Sequence, residues 1–219
     1  MMMDQVIRSH YRGSIRYDVQ KNVVMDVIRS CEKKAQACIE EGRIMTVALY
    51  YYGSQLFLYV ESIGEEVDLR RFTLELEPYL DRWPGKEELR YWVPMHHIYC
   101  HAYPKGKEDW RRKTQPEMRR GRIAKLKPEA IFSYLYHHKA IVDEGLLMGD
   151  KYQSIGFHED LLFSYFEEPK ILTNVSGDVS KESEAIKAWT AVNPEAHFIP
   201  YPEANGMNFL FLPAYFALG

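Results

Sequence analysis

The apolar positions of this chain change period several times, and the changes fall in a repeating order. After a short strand-like run ending at Ile15, residues 20–41 carry the three-and-four spacing of an amphipathic helix. Cys31 and Cys38 lie seven apart there, on one face. Met45–Tyr52 is rich in β-branched and aromatic residues, Gly53-Ser54 is a turn signal, and Leu56–Glu61 reads as the returning strand. A second helical pattern covers 68–81, and Trp92–His101 reads as a closing strand. The second half predicts a strand at 121–126, a helix at 128–146 and a hairpin over 152–167 that turns near His158-Glu159-Asp160. A helix at 181–192 and a strand at 208–216 complete it.

Two short segments recur. Leu56-Phe57-Leu58-Tyr59-Val60-Glu61 returns as Leu162-Phe163-Ser164-Tyr165-Phe166-Glu167, and Arg12-Gly13-Ser14-Ile15 as Arg120-Gly121-Arg122-Ile123. With the elements between them, they predict an α+β protein of two tandem ferredoxin-like β-α-β-β-α-β repeats. Repeat 1 occupies 1–104 and is diverged, without the candidate site. Repeat 2 occupies 119–219 and carries it. Residues 105–118 form a basic linker between them. A four-stranded sheet with helices on one face leaves the other bare, so the two sheets are expected to pair within the chain as a pseudo-dimer of the dimeric α+β barrel type. Further homo-oligomers remain open.

The helix that opens at Pro128-Glu129-Ala130 holds the strongest candidates for chemistry. Pro128 suits a first helical turn, and Glu129 favours the positive helix end. The stripe Ile131, Tyr134/Leu135, His138, Ile141/Val142 sets Tyr134 and His138 one turn apart on the inward face. Imidazole gives and takes protons near neutrality, so His138 is an acid/base candidate. The alternative is a core histidine satisfied by a backbone carbonyl.

Pro128-Glu129-Ala130, Tyr134, His138 and the later Leu161–Glu167 run resemble L-rhamnose mutarotase and its relatives. The likeness covers 119–168, and 11–101 more faintly. Those proteins are ferredoxin-like subunits that pair as dimeric α+β barrels and exchange sugar anomers without a cofactor. The resemblance implies His138 and Tyr134 as catalytic residues. Tyr152 and Trp189 stand nearest the family's pocket tyrosine and tryptophans, with His137 and His97 as further substrate-binding candidates. It implies a monosaccharide ligand, an isomerase activity in carbohydrate metabolism, and neither cofactor nor metal. Two alternatives stand beside it. One is a non-catalytic small-ligand-binding protein of the same fold. The other is a haem-degrading or antibiotic-type monooxygenase of the dimeric α+β barrel class.

His96, His97 and His101 share one predicted strand. Alternation puts His97 and His101 on one face about 13 Å apart, at about 3.3 Å per residue, too far to share a metal directly. No HExxH, P-loop or GxGxxG motif is present. Three cysteines without CxxC spacing argue against a disulfide framework or zinc site. The net charge of −3 gives no global excess for nucleic acid. Between Lys105 and Lys127 ten Lys/Arg face three acids, read as a solvated, extended linker. No secretory signal and no long apolar span appear, so the protein is expected in the cytoplasm, without membrane or nucleic-acid partners.

Overall fold

A computed structural model describes residues 5–86, 88–148, 150–170, 174–175 and 182–219. In chain order the strands are β1 (Val6–Ser14), β2 (Ile44–Tyr52), β3 (Gln55–Ile63), β4 (Val93–Cys100), β5 (Met118–Leu126) and β6 (Leu147–Met148). They continue with β7 (Ser154–His158), β8 (Leu161–Glu168), β9 (Asn174–Val175), β10 (Phe198–Ile199), β11 (Leu210–Leu212) and β12 (Ala214–Leu218). The helices are α1 (Lys21–Glu40), α2 (Arg70–Thr73), α3 (Lys107–Trp110), α4 (Ile131–Glu144) and α5 (Glu184–Ala191). The fold is mixed α and β, and its strand pairs are antiparallel. No described helix is long and apolar enough to cross a membrane.

The chain divides into two compact units. Unit 1 takes residues up to Met95 with Pro104–Thr114 and Pro213–Gly219; unit 2 takes His96–Tyr103 and Gln115–Leu212. In unit 1 the strands run β4-β1-β3-β2-β12. Buried Val24, Ile28, Cys31, Ala35 and Cys38 recur at three-and-four spacing, so α1 lays one apolar stripe on the sheet residues Val47, Leu49, Leu56 and Leu58. β2 and β3 meet at a two-residue turn, Gly53-Ser54, and Gly53 supplies the positive φ of 58° it needs. The helix expected over 68–81 is only the single turn of α2, followed by a 3-10 stretch at Leu74–Tyr79. Pro78 lies inside that stretch, where it lacks the N–H for an α-type bond to Leu74.

In unit 2 the order is β10-β5-β8-β7-β4, with β11 also beside β5. β7 and β8 turn at Glu159-Asp160 as expected. α4 stops where Gly145 adopts φ 70°. α5 is capped by the Ser183 hydroxyl, which accepts from the Ile186 N–H. The expected start of that helix, Lys181, lies outside the described residues. The strand expected over 208–216 is broken at Pro213, which cannot donate to a ladder. β11 pairs with β5, and β12 with β2.

The basic segment does not run as a solvated linker. Trp110 is fully buried, and its indole N–H donates to Glu61 Oε1 at 2.9 Å. Arg112 grips the same carboxylate with two nitrogens, Nη2 at 2.9 Å from Oε1. Tyr59 donates to Glu61 at 2.6 Å, and Arg8 Nε donates to the Tyr59 hydroxyl at 2.9 Å. Burial alone would raise the Glu61 carboxyl, but Arg112, with Arg8 and the Tyr59 hydroxyl, holds it below the usual carboxylate range.

The register refines the internal repeat. Tyr59 donates to Glu61 in β3 as Tyr165 donates to Glu167 in β8, at 2.6 and 2.7 Å. Opposite those glutamates stand Arg8 in β1 and Arg119 in β5. The partner strands therefore correspond at an offset of 111 residues, so the Arg-Gly match at offset 108 is displaced by three. In these terms Tyr11, which faces Leu58, is the counterpart of Arg122, which faces Ser164.

Candidate functional site

On the helix side of unit 2 the sheet presents Ala124, Leu126, Leu162 and Ile155 to α4 and α5. Onto this floor α4 lowers Tyr134. The four-residue spacing stacks the His138 ring on it, centroids 3.8 Å apart and planes at 20°. The His138 Nδ1 lies 3.0 Å from the Tyr134 carbonyl, so the proton sits on Nδ1. Trp189 of α5 meets His138 edge-on at 5.0 Å and Tyr134 at 5.6 Å, while Tyr99 of β4 closes another side of His138 at 6.0 Å. His137 and His197 flank Trp189 at 5.6 and 4.8 Å. Four expected site residues, Tyr134, His138, Trp189 and His137, thus share one group of rings.

The other two lie elsewhere. Tyr152 sits in the turn before β7, with the Lys151 ammonium 5.8 Å from its ring centre. His97 is an exposed residue of β4. The ring contacts described for His138 and Trp189 include neither. The expected alternation of His97 and His101 is interrupted by a register shift between His97 and Tyr99. His101 instead shares a 3.1 Å hydrogen bond with the Tyr99 hydroxyl. Among the described residues, no group of three or more His, Cys, Asp or Glu is placed to hold a metal ion.

Burial lowers the His138 pKa to about 4; the Tyr134 carbonyl opposes the shift, and His137 and His197 add to it. The ring is therefore neutral at pH 7 and has no proton to give to a sugar ring oxygen. The expected result is that the His138 ring carbon protons, followed by NMR, stay at their neutral position from pH 8 down to pH 5. A midpoint near 6.5 would contradict the packing.

The main cation of this face was missed in the sequence. Arg122 lies in β5 with its guanidinium against two rings, 4.4 Å from the Phe209 centre and 5.0 Å from that of Phe166. Its Nε is inaccessible and has no hydrogen-bond partner, and no ion pair reaches Arg122 among the described residues. Burial lowers its pKa, which is the mark of a desolvated charge. Lys170 stands on the Phe166 ring at 5.1 Å and is also pushed down, by burial and then by Arg122. Across the ladder from Arg122, the wholly buried Ser164 hydroxyl has no partner. Asp150 is the carboxylate whose field reaches both cations. The signal was in the alternation: Arg122 shares its parity with Ala124 and Leu126, which face the core.

No family model and no curated protein matches the chain. Solved structures with a similar course include a candidate monooxygenase from Lactobacillus acidophilus, 10% identical, TM-score 0.43, over 97% of this chain and 95% of that one. A candidate monooxygenase from Fusobacterium nucleatum is 11% identical, TM-score 0.41, over 97% and 94%. A candidate chlorite dismutase is 12% identical, TM-score 0.40, over 96% and 94%.

The resemblance to L-rhamnose mutarotase is corrected. These solved structures are described as candidate monooxygenases and a candidate chlorite dismutase, and none of the three as a mutarotase. The isomerase and carbohydrate-metabolism readings fall with it. The physical reason lies in His138, whose ring is stacked, enclosed by aromatic edges and neutral, where anomer exchange needs an acid and a base.

Proposed function

We propose that unit 2 binds a small aromatic anion, a carboxylate or phosphate on a planar body. Arg122 carries this reading. A guanidinium has five N–H donors in its plane. Phe166 and Phe209 lie against it through their rings, and neither offers a hydrogen-bond acceptor, so its N–H donors suit the bidentate binding of a carboxylate or phosphate. Arg122 is half-buried with an unsatisfied Nε and no ion pair among the described residues, so its charge is only partly compensated by the field of Asp150 and an anionic ligand would complete the compensation. Lys170 adds a second positive charge on the same ring, and the phenylalanines supply apolar walls.

Calorimetry with salicylate and phenyl phosphate tests the proposal, with benzyl alcohol as the neutral control. Saturable binding of the anions, lost in Arg122→Met, is expected. Equal binding of benzyl alcohol, or undiminished binding by the variant, would contradict it.

An oxidative reaction on that ligand is a second reading, which His138 favours. Nδ1 held by a backbone carbonyl, with the ring neutral, is how a histidine serves a metal through Nε2. A neutral imidazole of this kind is the donor type that holds haem iron: were the edges of Trp189 and Tyr99 to open, His138 would hold the group, which would supply oxygen activation, while Tyr134 would fix the ring's orientation. A haem titration followed by absorbance, in native protein and His138→Ala, reads this out together with oxygen uptake. The two-unit chain itself we read as a tandem duplication of a ferredoxin-like unit, supported by the matched Tyr59–Glu61 and Tyr165–Glu167 pairs with Arg8 and Arg119 opposite.

A further inference from the structure

Unit 1 carries a cleft at the position where unit 2 carries Arg122. The cleft has a volume of about 900 Å³ and is lined by Tyr11, Glu66, Leu69, Arg82, Tyr91 and Trp92, among others. That volume is in the range of small-molecule sites, roughly 300–1,000 Å³. Tyr11 is the register counterpart of Arg122, while the counterpart of Glu66 falls outside the described residues. At this register position unit 1 therefore has a neutral phenol where unit 2 has a cation.

The chemistry of this cleft is that of a carboxylate against aromatic walls. The buried Tyr11 hydroxyl donates to Glu66, and the Ser9 hydroxyl donates to the same oxygen at 3.3 Å. Both donors are neutral. Burial, and then Glu66, push the Tyr11 pKa up, so the phenol keeps its proton. Glu66 is therefore oriented without being neutralised, and no ion pair reaches it among the described residues. Arg70, Arg82 and Arg90 also line the cleft, with Asp68, Glu77 and Glu88 beside Glu66, so its carboxylates outnumber its guanidiniums by one. Arg70 pairs with Glu77 at 3.1 Å, and Arg82 lies against Tyr91, its Nε 3.3 Å from the hydroxyl. Tyr91 and Trp92 add π-faces, which attract cations and apolar bodies alike.

We infer that the cleft of unit 1 is a second ligand site, for a small molecule that carries a protonated amine on an aromatic or apolar body, with the ammonium on Glu66. It is separate from the anion site of unit 2. A ligand in which both charges were present could use either site, but the aromatic amine alone fits this one.

The probes are 2-phenylethylamine, its neutral analogue 2-phenylethanol and the anion 3-phenylpropionate, followed by calorimetry on the full chain. Native protein and Arg122→Met are both expected to bind the amine saturably. Glu66→Gln, an exposed position whose substitution leaves the core intact, weakens the amine by about tenfold or more, because a charge-assisted bond becomes a neutral one. Tyr11→Phe weakens it less. Absence of saturable amine binding, equal binding of the three probes, or unchanged affinity in Glu66→Gln would overturn the inference. Loss of amine binding in Arg122→Met would place the amine in unit 2 and overturn it too.

Discussion

Arg122→Met unfolds at a higher temperature than the native protein and no longer binds aromatic anions. Two effects oppose each other at this position. The stack on Phe166 and Phe209 favours the guanidinium by roughly 0.5–2 kcal/mol per contact. Burying the unsatisfied Nε and part of the charge costs about 1–3 kcal/mol, less than for a wholly buried ion because the residue is only half-buried and Asp150 acts on it. Methionine keeps part of the stacking, since a thioether on an aromatic ring contributes about 0.3–1.5 kcal/mol, and it removes the penalty. The balance favours the variant by on the order of 1 kcal/mol. For a chain of this size that is about 2–4 °C in Tm. Thermal unfolding without ligand measures it. Arg122→Lys is expected to retain the penalty and lose bidentate recognition. A fall in Tm for Arg122→Met would mean that the cation–π stack outweighs the desolvation, and that the residue is structural.

Arg112→Ala destabilises the protein by about 3–5 kcal/mol at pH 7, since it leaves a buried carboxylate without its main partner. Glu61 is wholly buried, and Arg112 supplies both the ion pair and two hydrogen bonds. The sign of the pH dependence follows. The native carboxyl titrates below its unfolded value, so its contribution is present above the ordinary carboxylate range and is lost as pH falls through it. In Arg112→Ala burial is opposed only by Arg8 and the Tyr59 hydroxyl, and Glu61 takes up a proton at higher pH than in native protein. The gap between native protein and variant therefore narrows as the pH is lowered from 7 towards 4. Urea unfolding at several pH values reads the gap, and a constant gap would show that the pairing is not what stabilises this segment. Replacing Glu61 and Arg112 together by Leu and Met recovers much of the loss, because no charge is then stranded.

The element order was legible because the periodicities are strong. The stripe of α1, the Gly53-Ser54 turn and the Glu159-Asp160 turn all stand where the pattern places them. Two prolines account for two misreadings. Pro78 cut a helix short, and Pro213 split the last strand between two partner strands. The linker was misread for another reason: its arginines suggest solvent, but the acceptor that buries Arg112 and Trp110 lies some fifty residues away in β3. Long-range electrostatic pairing leaves no local trace.

The candidate site divides in the same way. The spacing of Tyr134 and His138 along α4 correctly predicts that they meet, and Trp189 joins them. It does not predict that the imidazole is stacked and neutral, because that depends on Tyr99 and Trp189 arriving from other elements. Arg122 was set aside as one more arginine of a basic run. Its parity with Ala124 and Leu126 places it inward, and only the structure shows that two phenylalanine rings lie beside it and that Asp150 acts on it through its field, without an ion pair among the described residues.

The most direct test of an anion site built around Arg122 is the arginine Nε–H resonance itself. In the ¹H–¹⁵N spectrum the Arg122 signal is assigned as the one absent from Arg122→Met, and salicylate is titrated into native protein. The expected result is a saturable shift of that resonance and slower exchange of its proton with water, unmatched by benzyl alcohol. Salicylate binding that leaves the Arg122 resonance in place, or no binding at all, would contradict the account.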